Sequence, residues 1–87
     1  MTKTEICRKV TKLNKPGQRT VIYSIVDEED SGVRYGTSIR CEETGTETVA
    51  RRLTNDRARI ESAADFLATY GISPLSMEKV VYDILNL

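Results

Sequence analysis

The sequence predicts an α+β fold: an antiparallel sheet of three to four strands, followed by an antiparallel two-helix hairpin packed on one sheet face (ββββαα). In the first half of the chain, apolar and polar residues alternate as they do in half-buried strands. After residue 54 the apolar period changes to about 3.6, the period of an amphipathic helix. The 87 residues leave room for one hydrophobic core. We therefore expect a single domain over residues 1–87, with the sheet in 5–53 and the helical hairpin in 55–87.

The first two predicted strands are joined by a tight turn. Residues 5–13 form the first strand, with the apolar residues Ile6, Val10 and Leu13 among charged ones. Residues 15–18 read Lys-Pro-Gly-Gln, the chemistry of a type II turn. Residues 19–27 are rich in β-branched and aromatic types on both faces, which predicts a central strand.

The next two predicted strands follow an acidic turn. Residues 27–32 concentrate like charges before a glycine, and this favours an exposed reversal of the chain. Residues 33–42 alternate cleanly, as in a strand with one wet face. Residues 47–53 complete the sheet, with Val49 and Leu53 expected to point inward. Because residues 1–20 are mainly basic and residues 27–47 mainly acidic, we expect charge pairing across the sheet, with a dipolar binding surface as the alternative.

Two helices follow the sheet. Thr54 or Asn55 can cap the first helix, with Asp56 complementing its positive end. Its apolar stripe has the i, i+3, i+4, i+7 spacing: Ile60, Ala63, Ala64 and Leu67. Gly71 suits the left-handed residue that ends a helix. Ser73 as cap and Pro74 in the first helical position then predict the start of the second helix.

Composition limits the classes of function. Lys and Arg together number 13, as do Asp and Glu, so the formal net charge is zero. This disfavours a sequence-independent nucleic-acid binder. Cys7 and Cys41 lack a second pair and there is no histidine, which argues against a zinc site. We expect both thiols to be free, and a Cys7–Cys41 disulfide forms only if the strand order brings the two residues together. With no apolar segment long enough for a membrane and no signal core at the N-terminus, we expect a cytoplasmic protein.

The C-terminal third carries a family resemblance. Its elements are Leu53-Thr54-Asn55-Asp56, Ile60, Phe66-Leu67, Gly71-Ile72-Ser73-Pro74 and the run Val80-Val81-x-Asp83-Ile84-Leu85, preceded by Tyr35-Gly36. Over roughly residues 20–87 the chain resembles a family of short uncharacterised proteins from clostridia and related Firmicutes. The resemblance implies a sheet followed by a helical pair and a cytoplasmic location. The quoted motifs are capping and core residues, so no functional residue is carried over.

A catalytic site is not indicated. Histidine, the commonest acid–base group near neutral pH, is absent. The sequence holds no Gly-rich phosphate loop, no nucleophile elbow and no carboxylate set with metal-ligand spacing. We therefore predict a non-enzymatic protein with no catalytic residues, no metal and no cofactor.

The predicted sheet face away from the helices is the first candidate surface. Alternation places Ile22 and Val26 there among polar side chains, and an apolar patch with a polar rim is typical of a contact surface. The candidate residues are Ile22, Ser24, Val26, Arg34 and Arg40. They predict a protein-interaction or regulatory module that binds an unidentified protein or a second copy of itself. Alternatively, the first strand or the N-terminal tail folds over this face.

Four arginines around the strand-to-helix junction are the second candidate: Arg51, Arg52, Arg57 and Arg59. Free N–H groups at a helix start favour anions, and arginine pairs with phosphate or carboxylate. Nucleic-acid or phosphate-ligand binding here is therefore the alternative function. Against it, Arg51 and Arg52 alternate across a strand, and Arg57 can pair with Glu61 at i+4.

Overall fold

A computed structural model describes residues 1–12, 17–30 and 32–86. Within them the chain forms four strands and two helices: β1 (Thr2–Lys12), β2 (Gln18–Asp27), β3 (Tyr35–Cys41), β4 (Glu47–Thr54), α1 (Arg57–Thr69) and α2 (Met77–Leu85). The sheet order is β1-β2-β3-β4, and all neighbouring strands are antiparallel. This confirms the predicted ββββαα fold, with four strands. The predicted turn at 15–18 lies mostly outside the described residues.

The core lies between the helices and one face of the sheet. The side chains that alternate along β2 and β3 meet the apolar stripes of α1 and α2 there. Its buried members include Tyr23, Ile25 and Ile39 from the sheet, Ile60, Ala63, Ala64 and Leu67 from α1, and Met77, Val81 and Leu85 from α2. The predicted stripe of α1 is thus confirmed. Burial of each large apolar side chain contributes about 1.5–3 kcal/mol.

The opposite face of the sheet, called the outer face below, is concave. Lys3 on edge strand β1 and Glu47 on edge strand β4 form an ion pair of 2.8 Å across this face. Their side chains can meet only if the sheet coils toward the outer face, as strongly twisted sheets do. Arg8 also bonds Glu42 at 3.3 Å. These pairs join the basic N-terminal segment to the acidic middle segment, as the charge pattern predicts.

Strand β1 contains a bulge that separates its two halves. Glu5 pairs with Ser24 but Cys7 pairs with Tyr23, so Ile6 is the extra residue. Cys7 packs against the core. Val10, by contrast, is 54% exposed, because it pairs with Thr20 at the outer face.

Strand β4 contains a larger irregularity, where Arg51, Arg52 and Leu53 all lie opposite the single residue Gly36. The bulge separates Leu53, which packs in the core, from Val49, which pairs with Ser38 at the outer face. The expectation that both point inward is therefore wrong for Val49, since the extra residues change the alternation.

Both helix starts differ from the predicted ones. The cap of α1 is Asp56, whose Oδ1 accepts from the backbone N–H of Arg59 at 3.2 Å. Asn55 instead accepts from Arg34 N–H and donates to the carbonyl of Gly32. Helix α2 begins at Met77 rather than at residue 74, because the residues after Ser73 form a turn closed by the bond from Ser76 N–H to Ser73 O.

Candidate binding cleft

A cleft of about 430 Å³ lies between one end of the sheet and the connection from α1 to α2. We call it the loop-side cleft. Strands β1 to β3 supply one wall, the turn after β3 a second, and the α1–α2 connection the third. Its lining residues are Lys9, Arg19, Val21, Tyr23, Cys41, Thr44, Thr46 and residues 71–75. The volume falls within the usual range of ligand-binding pockets.

The floor of the loop-side cleft is mainly apolar. Val21 and Tyr23 alternate along β2, and Cys41 pairs with Val21 on β3. Tyr23 is buried and donates its hydroxyl hydrogen to the carbonyl of Ile72 at 3.1 Å. Burial raises the pKa of the Tyr23 hydroxyl, so it remains a hydrogen-bond donor at neutral pH. This bond fixes the α1–α2 connection above the sheet.

The thiol at the floor of the cleft belongs to Cys41, which is 5% exposed. Cys7 and Cys41 are both free, as predicted. Hydrogen bonds from the side chain and backbone of Thr44 lower the pKa of the Cys41 thiol, while burial opposes that shift. The turn after β3 therefore controls the chemical environment of Cys41.

Two cations lie at the rim of the loop-side cleft. Lys9 pairs with Val21 in the sheet, and Arg19 precedes Val21 by two residues, so both side chains share the face that carries the cleft floor. Lys9 Nζ donates to the carbonyl of Thr69 at 3.3 Å. Arg19 is exposed and forms no ion pair with a carboxylate in the part of the chain that the structure describes.

Glu43 precedes Thr44, and both of its carboxylate oxygens accept hydrogen bonds from Thr20. Its Oε1 accepts from the backbone N–H of Thr20 at 2.5 Å, and its Oε2 accepts from the Thr20 hydroxyl at 2.7 Å. These bonds lower the pKa of Glu43, so the carboxylate stays ionised while its two oxygens face β2. The two cations of the rim are therefore not neutralised by Glu43 through direct ion pairs.

The predicted interaction face is only partly accessible. Ile22, Ser24, Val26 and Arg40 do share the outer face, as the alternation predicts. Val26, however, is 0% exposed and Ser24 is also buried, because the coiled sheet closes over them. Val26 is thus a packed residue rather than part of an open apolar patch.

Arg34 lies away from the other residues of the predicted interaction face. It precedes β3, and its Nε and Nη2 donate to the two carboxylate oxygens of Asp27 at 2.6 and 2.9 Å. Its guanidinium also lies 5.1 Å from the ring centroid of Tyr35, a cation–π distance. Arg34 therefore stabilises the end of the sheet where β2 ends and β3 begins.

Arg51 and Arg52 meet at one carboxylate, contrary to the expectation that they diverge. Arg51 donates from Nε and Nη2 to Glu28 at 2.9 and 2.6 Å. Arg52 Nε lies 3.7 Å from the same carboxylate. The bulge of β4 makes this possible, because Arg52 has a left-handed φ of 56° that breaks the alternation.

The other two arginines of the predicted cluster have separate partners. Arg57 Nε donates to Glu61 at 2.7 Å, which confirms the predicted i+4 pair. Arg59 Nη2 donates to the carbonyl of Leu85 at 2.7 Å, and so ties the start of α1 to the end of α2. The four arginines therefore contact three different partners and do not converge on one anion site.

The described residues contain neither a membrane-spanning helix nor a cluster of metal ligands. Neither helix is long and apolar enough to cross a membrane. No group of three or more His, Cys, Asp and Glu side chains in residues 1–12, 17–30 and 32–86 is arranged to hold a metal ion.

Fold and cleft together define a small α+β domain, with a four-stranded antiparallel meander covered on one face by two helices. The chain matches the family of unknown function DUF6514 over residues 2–87 and belongs to that family. The match includes the basic first strand, which lies outside the segment that carries the resemblance in the sequence. Neither the curated proteins nor the solved structures contain a match to the chain.

Proposed function

We propose that this chain is a non-enzymatic protein-interaction or regulatory module of the bacterial cytoplasm that binds its partner at the loop-side cleft. The observation that carries the proposal is Leu75, which lines the cleft and is 94% exposed. A large aliphatic side chain left in water beside an apolar cleft gains free energy when a partner covers it. The free thiols of Cys7 and Cys41 support a reducing compartment.

The loop-side cleft is a better contact surface than the outer face. A partner at the outer face would have to displace the ion pairs Lys3–Glu47 and Arg8–Glu42 before it reached Val26. The loop-side cleft already presents apolar surface to solvent, from half-buried Val21 and exposed Leu75. Its walls are joined by the bond from Tyr23 to Ile72, which reduces the ordering cost of binding.

Binding of nucleic acid or a phosphate ligand through the four arginines has less support. Arg51 is already engaged in two hydrogen bonds to Glu28, and Arg57 is bonded to Glu61. An anion at this junction would have to compete with those carboxylates. The zero formal net charge also gives no long-range attraction to a polyanion.

Affinity capture from the host tests the cleft as the contact surface. We expect wild-type protein to retain a specific partner that Leu75→Glu loses, because the new charge would be desolvated at the interface. Val33→Glu is the matched control, since Val33 is also exposed but lies at the opposite end of β3. The captured partner is then purified and its binding to all three proteins measured.

The same three proteins are examined by sedimentation to test self-association. A homodimer that dissociates in Leu75→Glu but not in Val33→Glu would make a second copy the partner at the cleft. Equal capture and equal mass for wild type and Leu75→Glu would contradict the proposal.

A further inference from the structure

We propose that the loop-side cleft recognises an acidic extended segment of a protein partner, which places one bulky apolar side chain in the cleft and carboxylates beside Lys9 and Arg19. This inference rests on the proposed function and adds the chemistry of the partner. It follows from the charges at the rim, from the shape of the cleft and from the exposure of Leu75.

The rim of the cleft is positively charged. Lys9 and Arg19 lie on neighbouring strands and flank Val21 on the same face. Both of their side chains line the cleft. Glu43 directs its two oxygens to Thr20, so it gives Lys9 and Arg19 no direct ion pair. Two cations beside an apolar floor are complementary to a segment in which acidic residues flank an apolar one.

Leu75 favours a segment over a small molecule. It lines the cleft and is 94% exposed, so nearly its whole surface is in contact with solvent. A small acid held between Arg19 and the floor would leave that surface in water. A polypeptide that continues past the cleft would cover it, and this added burial makes the segment the better occupant.

Selection from a random displayed peptide library with the full-length chain tests the inference. We expect enrichment of peptides that combine a large apolar residue with Asp or Glu. For a selected peptide, Arg19→Glu is expected to weaken binding about tenfold and to reduce its salt dependence, since a rim attraction becomes a repulsion. Arg40→Glu is the control, because Arg40 is an exposed arginine on the outer face and is not part of the cleft lining.

The outcomes separate this inference from the proposed function. Peptides that lose binding with Leu75→Glu but keep it with Arg19→Glu would support the cleft and overturn the acidic chemistry. Enrichment of neutral or basic peptides would also overturn the inference that the bound segment is acidic. Selected peptides that bind Leu75→Glu as well as wild type, or a selection that enriches none, would overturn both.

Discussion

Gly36 of β3 lies directly against the backbone of β4. A Cβ built on Gly36 would lie 2.1 Å from the carbonyl oxygen of Ala50 and 2.9 Å from Cα of Arg51. Both atoms belong to the backbone, so no side-chain rotation can relieve the clash. The bulge of β4 therefore depends on the absence of a side chain at position 36.

Replacement of Gly36 by alanine should destabilise the fold by about 1–3 kcal/mol or more, the cost of overpacking a site that cannot relax. The measurement is urea unfolding followed by circular dichroism. Gly32→Ala is the matched control, because a Cβ at Gly32 meets nothing within 4 Å. We expect that variant to stay within about 0.5 kcal/mol of wild type. Equal stabilities for the two variants would contradict this account of the bulge.

At the scale of the elements, local patterns predict the helices and strands but not the bulges. The spacing from Ile60 to Leu67 identifies α1, because burial on one helix face depends only on that period. The extra residues in β4 depend on how it pairs with β3, and the alternation of β4 alone carries no signal for them. The start of α2 was missed for a related reason: Ser73 and Pro74 also suit a turn, and local sequence does not choose between the two.

The left-handed backbone conformation of Arg52 in β4 leads to a separate prediction. The φ of 56° costs a non-glycine residue about 1–2 kcal/mol, and Arg52 Nε lies 3.7 Å from the Glu28 carboxylate, too far for a hydrogen bond. Arg52→Gly should therefore leave stability unchanged or raise it by up to about 1 kcal/mol. Arg52→Val removes the same charge but should destabilise, because a β-branched residue strongly resists this conformation.

Thermal unfolding of the two Arg52 variants measures the difference. If both lose the same stability, the side chain of Arg52 rather than its backbone conformation holds the bulge. A gap of about 1 kcal/mol or more between them, with glycine the more stable, is the result that the backbone argument requires.

At the scale of the whole molecule, the loop-side cleft could not be predicted from the sequence. Lys9, Tyr23, Cys41 and Leu75 come from four separate parts of the chain, and only the sheet order and the α1–α2 connection bring them together. The sequence does indicate one part of the cleft: Arg19, Val21 and Tyr23 are spaced two residues apart on β2 and therefore lie on the same face of the sheet. The outer face was located correctly by alternation, but its accessibility depends on sheet curvature, which alternation does not report.

Ionised carboxylates also link distant parts of the molecule. Hydrogen bonds from Arg34 lower the pKa of Asp27, and those from Arg51 lower the pKa of Glu28. Glu43 differs, because the neutral donors of Thr20 lower its pKa. A carboxylate with a lower pKa in the folded state stabilises the fold above its ordinary pKa, and this stability is lost as the pH falls through the folded value. The free energy of unfolding should therefore decrease below about pH 5, with each of the three carboxylates taking up as much as about one proton on unfolding.

Urea unfolding between neutral pH and about pH 3, in low and high salt, separates these contributions. High salt screens the charge pairs Arg34–Asp27 and Arg51–Glu28, whose arginine side chains are 40% and 52% exposed, more than it weakens the bonds from the neutral donors of Thr20 to Glu43. Glu43→Gln should therefore flatten the acid dependence that persists in high salt, because glutamine has no charge to lose. If Glu43→Gln kept the wild-type dependence in high salt, the contact between β2 and the turn after β3 would not contribute to acid stability, and the wall of the cleft would be held by the backbone bond from Glu42 to Thr20 instead.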